Sequence, residues 1–299
     1  MRLNAAIPFL FALVLGLSAQ AQLYQQPQPL MFDKGLNVYA PHPGLKRMVM
    51  SRYIPGARFP KDYDVVVETY GYDQQGRIVE TSRFDNIMGN VLLTTTFTYT
   101  PEGKLAQERT VTGDRNEVIR KYNWEKDANG KPVKATIVDR SNNPIGSVEV
   151  MPDGSQVISE TSGGAGKVIK TTLDANGRLL RIENGSTGQT EDYSYYPDGT
   201  VKQLDLRGTK GVAQVKYDNT LDDKGHVIKQ VETGKTGART FLFTYTPQGQ
   251  IADRGTIANQ PTETRGYDAM GRLTDVLNYD AQGLPKEVLN IAYEAYPSK

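Results

Sequence analysis

The sequence predicts an all-β fold: an antiparallel β-meander of tandem two-strand repeats, 22–27 residues each, in one curled or spiralling sheet. Three observations lead there. A turn signature recurs, seen best in Tyr72-Asp73-Gln74-Gln75-Gly76-Arg77-Ile78, Leu173-Asp174-Ala175-Asn176-Gly177-Arg178-Leu179 and Tyr267-Asp268-Ala269-Met270-Gly271-Arg272-Leu273. Its glycines recur at 76, 103, 130, 154, 177, 199, 225, 249 and 271, in steps of 27, 27, 24, 23, 22, 26, 24 and 22. A fixed period of this kind marks a repeat architecture. Between the turns, large apolar residues alternate with polar ones, the period of a strand with one covered face.

The turn chemistry explains the signature. Asp at the first corner accepts hydrogen bonds from backbone N–H groups ahead of it, and Gly takes the left-handed conformation that a Cβ resists. Together they specify a type I turn followed by a bulge, a common hairpin connection. Thr100-Pro101-Glu102-Gly103, Tyr196-Pro197-Asp198-Gly199 and Thr246-Pro247-Gln248-Gly249 put Pro at the second corner, where its fixed φ suits the same turn. The turn residues are therefore Asp73, Gly76, Gly103, Gly130, Gly154, Asp174, Gly177, Gly199, Gly225, Gly249, Asp268, Gly271 and Gly283. A weaker turn series falls near Gly89, Asn116, Gly146, Gly166, Gly188, Gly211 and Gly237, which makes each repeat two strands of roughly eight residues.

Along the chain, residues 1–21 read as a secretory signal peptide. Arg2 precedes an apolar core, and Ala19-Gln20-Ala21 is a small-x-small cleavage site, leaving Gln22 as the first mature residue. No Cys follows that core, so a lipoprotein is not expected. Residues 22–60 begin with a Pro/Gln-rich linker, Gln25-Gln26-Pro27-Gln28-Pro29, and continue as a segment without the repeat grammar, read as an N-terminal cap. Residues 61–299 form the β-repeat domain. Its strands alternate through Phe97 and Tyr99, Tyr122 and Trp124, Tyr193 and Tyr195, Phe241, Phe243 and Tyr245, and Ile291 and Tyr293.

Composition narrows the function classes. The chain has no Cys, which removes disulfides and thiolate metal sites. Its net charge of +1 gives no electrostatic case for nucleic acid. A mean hydropathy of −0.51 and a Lys/Arg/Thr-rich second face argue against an outer-membrane barrel. Some eighteen strands at about 4.8 Å would make a flat sheet roughly 85 Å wide with a wet apolar face. Sheets beyond about ten strands curl, hence the expectation of a curl with the Tyr/Phe/Leu face inward.

No catalytic or metal site rises above the repeat, and no cofactor is expected. His42 and His226 are the only histidines, far apart. His226 stands where other copies carry Arg, and reads as a solvent-facing variant. Gly163-Gly164-Ala165-Gly166-Lys167 lacks the spacing and the Ser or Thr of a phosphate loop. Asp222, Asp223, Asp192 and Glu191 are the carboxylates weighed as an acid–base pair. Tyr195, Tyr245, Tyr267 and Tyr279 recur near turns and could stack on sugars, although core packing with the hydroxyl at the rim is the simpler reading.

The Tyr-Asp-x-x-Gly-Arg-Leu motif, at Tyr72–Ile78 and Tyr267–Leu273 with a partial copy at Tyr279-Asp280-Ala281-Gln282-Gly283, resembles the YD repeat of RHS proteins. The resemblance covers about four fifths of the mature chain, mostly as degenerate copies. It implies antiparallel sheets that spiral into shells. Toxin delivery is not carried over, because no cargo domain or self-cleaving core is recognisable. The resulting expectation is an exported, non-catalytic binding or scaffold protein at the cell surface or in the periplasm. Its partner class is a polysaccharide or another secreted or surface protein, with no nucleic acid and no transmembrane segment after signal cleavage. The alternatives are a glycan-acting enzyme with a carboxylate pair and a structural shell for another secreted protein.

Overall fold

The computed structural model describes residues 42–55, 65–85, 89–161, 167–197, 199–208, 211–257 and 260–297. The signal peptide, the Pro/Gln-rich linker and most of the glycine-rich 163–167 stretch lie outside them. Twenty strands and no helix occur among the described residues. The first ten are β1 (Leu45–Tyr53), β2 (Val65–Tyr72), β3 (Ile78–Phe84), β4 (Val91–Tyr99), β5 (Leu105–Thr112), β6 (Glu117–Lys126), β7 (Pro132–Val138), β8 (Pro144–Val150), β9 (Gln156–Glu160) and β10 (Lys167–Leu173). The rest are β11 (Leu179–Asn184), β12 (Gln189–Tyr195), β13 (Val201–Gly208), β14 (Gly211–Leu221), β15 (Val227–Gly234), β16 (Gly237–Tyr245), β17 (Ile251–Ile257), β18 (Gln260–Tyr267), β19 (Leu273–Tyr279) and β20 (Pro285–Ala295).

Each strand pairs antiparallel with the next, and β20 pairs with β1 through Met48↔Tyr293, Met50↔Ile291 and Arg52↔Leu289. The sheet therefore closes into a ring, which corrects the expectation of an open curl or spiral. The closing strand comes from the segment read as a cap: β1 lies between β2 and β20 and hydrogen-bonds to both. Closure satisfies the two rows of backbone groups that an open array would leave exposed at its edges.

The turns follow one construction. At Asp268–Gly271 the Gly271 N–H donates to the Asp268 carbonyl at 2.9 Å, Gly271 has φ +78°, and the pairing shifts by one residue at Gly266/Tyr267. The same bond and a positive φ occur at Gly76, Gly103, Gly130, Gly154, Gly177, Gly199, Gly225, Gly249 and Gly283. The weaker series is less uniform. Gly146 lies inside β8, and the preceding turn is Asp139–Asn143, with Asn142 taking the positive φ of 64°. Asn tolerates that conformation because its short amide bonds locally.

The least exposed residues share one register face. Met48 faces Tyr70, Tyr122 faces Ile137, Ala135 faces Val148, and Ile158 faces both Val148 and Ile169. Met48, Ala135, Ile137 and Val148 are fully buried. Among the described residues every strand belongs to the one closed sheet and nothing covers its convex side, so this face is the interior. A contiguous apolar cluster runs over β20 and β1 to β10. Each fully buried aliphatic side chain stabilises by about 1.5–3 kcal/mol. The opposite face carries Arg109, Lys170, Lys216 and Lys229, all exposed.

Candidate functional site

The repeated residues converge on joints between successive repeats. Asp73 Oδ1 accepts the Gln75 and Arg77 N–H groups at 3.0 and 2.9 Å, and Oδ2 accepts Arg77 Nε at 2.7 Å. The Arg77 guanidinium then lies 4.5 Å from the centre of the Tyr99 ring, one repeat on. The Tyr99 hydroxyl donates back to the Ile78 carbonyl at 2.6 Å. Asp, basic residue and aromatic thus lock this turn and tie it to the next. Such a joint combines a cation–π contact of about 0.5–1 kcal/mol with a hydrogen bond of about 1 kcal/mol.

The joint recurs with substitutions. Arg178 lies over Tyr195, whose hydroxyl donates to the Leu179 carbonyl. Arg272 lies 4.5 Å over Tyr293, which donates to the Leu273 carbonyl. Lys104 and Trp124 make a looser version, with Trp124 Nε1 donating to the Leu105 carbonyl at 2.7 Å. At the fourth variant His226 stacks on Tyr245, with ring centres 4.6 Å apart, while its Nδ1 lies 3.1 Å from Asp222 Oδ2. His226 is therefore a joint residue and not the solvent-facing variant expected. The closing seam has its own tie, from the Tyr296 hydroxyl to the Tyr72 carbonyl at 2.7 Å.

The tyrosines considered for sugar stacking fall into place accordingly. Tyr195, Tyr245 and Tyr267 each give their hydroxyl to a backbone carbonyl of the preceding repeat, those of Leu179, Val227 and Ile251. Tyr279 departs from this: its hydroxyl lies 3.3 Å from Thr264 Oγ1. Burial pushes the Tyr99 and Tyr195 phenols up to about 12, so they remain donors across the physiological range. His42 packs edge-on against Tyr72.

The weighed carboxylates do not assemble. Asp222 is held by its own turn, accepting the Lys224 and His226 N–H groups. Glu191 points inward and accepts the Tyr193 hydroxyl at 2.6 Å. Asp192, its neighbour, points outward between Arg181 and Arg207 at 3.5 and 3.7 Å. Among the described residues no group of three or more metal-ligating side chains comes together.

Two clefts open between successive turns of the rim. One, of about 550 Å³, lies between the Asp222–His226 and Thr246–Gln250 turns and includes Tyr245. The other, of about 750 Å³, lies beside Thr100–Glu102 and Trp124. Sequence reasoning missed the interior charges. Glu108, Arg120 and Glu160 all occupy inward positions, and both glutamate side chains are only 11% exposed. The available signal was a charged residue at an inward step of the alternation, as at Arg120 two residues before Tyr122 and Glu160 two residues after Ile158.

The turn carboxyls carry a pH prediction. Asp174, Asp222 and Asp268 are held below the usual carboxylate range, first by the N–H groups of Arg178, His226 and Arg272 that they accept. A lowered folded value contributes stability above the unfolded value of about 3.9 and loses it as the pH falls through the folded one. Thermal midpoints should therefore drop below about pH 4, and less steeply in a triple Asp→Asn variant at these positions. Parallel acid profiles for the two proteins would contradict the assignment.

No family model and no curated protein matches this chain. Among solved structures it is similar to a TcdB2–TccC3–Cdc42 complex, at 14% identity and a TM-score of 0.33, over 80% of this chain and 14% of that one. It is also similar to a porin-like protein from Bacteroides uniformis, at 12% identity and a TM-score of 0.27, over 85% of this chain and 99% of that one. This chain thus spans about a seventh of the first and nearly all of the second. Neither superposes closely enough for a shared function to follow.

Proposed function

We propose that this chain is an exported, non-catalytic β-repeat protein of the RHS/YD type that works as a binding or scaffold surface at the cell surface or in the periplasm. Its partner is a polysaccharide or another secreted or surface protein. The observation that carries this reading is the fate of the repeated residues. The recurrent Asp, basic residue and aromatic are engaged in joints between repeats, as at Asp73, Arg77 and Tyr99. What remains for a partner is the outer face, where Thr98, Arg109, Lys170, Lys216 and Lys229 are exposed. A long repeated surface of that kind suits many weak contacts.

The test uses the purified mature protein, an array of glycans and peptidoglycan, and product analysis. Binding should survive any single carboxylate-to-alanine change and weaken stepwise as outer Lys and Arg residues are neutralised. Turnover that disappears with one Asp or Glu substitution would replace this reading with the glycan-acting enzyme.

A further inference from the structure

One joint differs from the rest. The guanidinium groups of Arg77, Arg178 and Arg272 lie 4.5, 4.7 and 4.5 Å from the centres of their aromatic rings, and His226 stacks on its own at 4.6 Å. Lys104 instead keeps its ammonium 5.9 Å from the centre of the Trp124 ring. Trp124 is the single tryptophan of the chain and is only partly buried against the core. Its Nε1 donates to the Leu105 carbonyl at 2.7 Å, so the indole is fixed in orientation and its polar atom is engaged.

This residue lines the larger rim cleft, of about 750 Å³. The end of β6, from Tyr122 to Lys126, runs along the cleft, which therefore takes in residues of both sheet faces. Trp124 faces Ala135 on the inner side, and Asn123 faces Thr136 on the outer. The Thr100–Glu102 turn forms another wall, tied to β6 by Lys126 Nζ donating to Glu102 Oε1 at 2.6 Å.

These groups select a class of ligand. Small-ligand sites combine aromatic surface with a few placed polar groups. Here Lys126 only donates, Glu102 and Glu125 only accept, and Asn123 does both. A hydroxyl also does both, so a polyhydroxylated ring can meet all four while laying its C–H face on the apolar body of the indole. A proline-rich peptide brings few N–H groups, and covering the two carboxylates without donors is costly. An anionic ligand would be repelled by the same carboxylates.

We propose that the cleft between the Thr100–Glu102 turn and the end of β6 is a saccharide subsite, in which Trp124 stacks on a neutral pyranose ring and Asn123, Glu102 and Lys126 hold its hydroxyls. This site deepens the polysaccharide-binding reading above, on which it rests, by adding one discrete pocket to the outer face. The smaller cleft is less suited to stacking, because His226 already lies on the Tyr245 ring.

The single tryptophan reports on its own site. The purified protein is titrated with neutral oligosaccharides of glucose, mannose and N-acetylglucosamine while Trp fluorescence is read, and its co-sedimentation with the corresponding insoluble polysaccharides is measured alongside. At least one sugar should give a saturable change in emission. Asn123→Ala, at an exposed position, should weaken that binding about tenfold through a lost hydrogen bond. Trp124→Leu should abolish binding. Tyr245→Leu removes the aromatic of the corresponding joint at the other cleft, so it should lower the urea midpoint and leave the affinity unchanged. No emission change with any of these sugars, or an affinity unaltered in Asn123→Ala, overturns the subsite; both results stand even if Trp124→Leu fails to fold. A response to a proline-rich peptide in place of the sugars also overturns it. Sedimentation that persists in a folded Trp124→Leu protein removes the subsite alone and leaves binding by the outer face intact. Absence of both emission change and sedimentation removes the polysaccharide partner as well.

Discussion

Replacing Gly76 by alanine should destabilise the barrel by on the order of 3–5 kcal/mol, against about 1–2 kcal/mol for Gly130→Ala. The two glycines have nearly the same backbone, φ +79° and +78°, so the left-handed penalty is common to both. Their surroundings differ. A Cβ on Gly130 meets nothing within 4 Å, whereas one on Gly76 comes to 2.6 Å of His42 N and closer still to His42 C and Pro43 N. Those are backbone atoms leading into β1, anchored by the His42 N–H to the Gly76 carbonyl at 3.0 Å. They cannot yield as a flexible side chain would. The measurement is the urea midpoint of each variant. Equal losses would show that the chain before β1 does not rest on the Asp73–Gly76 turn.

Val49→Pro should be at least as damaging, about 3 kcal/mol or more, through loss of an N–H and a ring clash within a strand paired on both sides. Val49 faces Thr69 of β2 and Ala292 of β20, so the change falls on the seam that closes the ring. Opening the seam exposes two long strand edges, and unpaired edges recruit other chains. The expected result is a lower midpoint together with concentration-dependent association. Ala175→Pro is the control. It places Pro at the second corner of a type I turn, the position Pro101 and Pro247 already occupy, and should change the midpoint by less than about 1 kcal/mol. A Val49→Pro protein that remains monomeric with an unchanged midpoint would mean that β1 is dispensable to closure.

How much of this was legible in the sequence depends on how local each decision is. The Asp–x–x–Gly corners depend on four or five consecutive residues, so Asp268 and Gly271 could be read in place. The inward face could be read as well, because alternation needs only one strand: Phe241, Phe243 and Tyr245 declare their side without any neighbour. The joints were half legible. Arg77 after Gly76 was visible as part of a motif, but its landing on Tyr99 depends on the offset between adjacent turns, which only the stacked hairpins set. The same holds for His226, whose role follows from Tyr245 lying beneath it.

Closure was decided by tertiary structure alone. Met48 and Tyr293 are 245 residues apart, and β1 lacks the repeat grammar, so no local pattern pairs them. The interior cluster of Glu108, Arg120 and Glu160 is of the same kind. Alternation places Arg120 and Glu160 on the inward side, but Glu108 is turned inward by the bulge after Leu105, and the meeting of the three requires the curvature of five strands and a hairpin short enough to be bridged. The sequence by itself determined the strands, the turns and the side that each residue faces, because these obey short-range geometry. Ring closure and the assembly of charges inside it required the whole sheet to bend back on its own first strand.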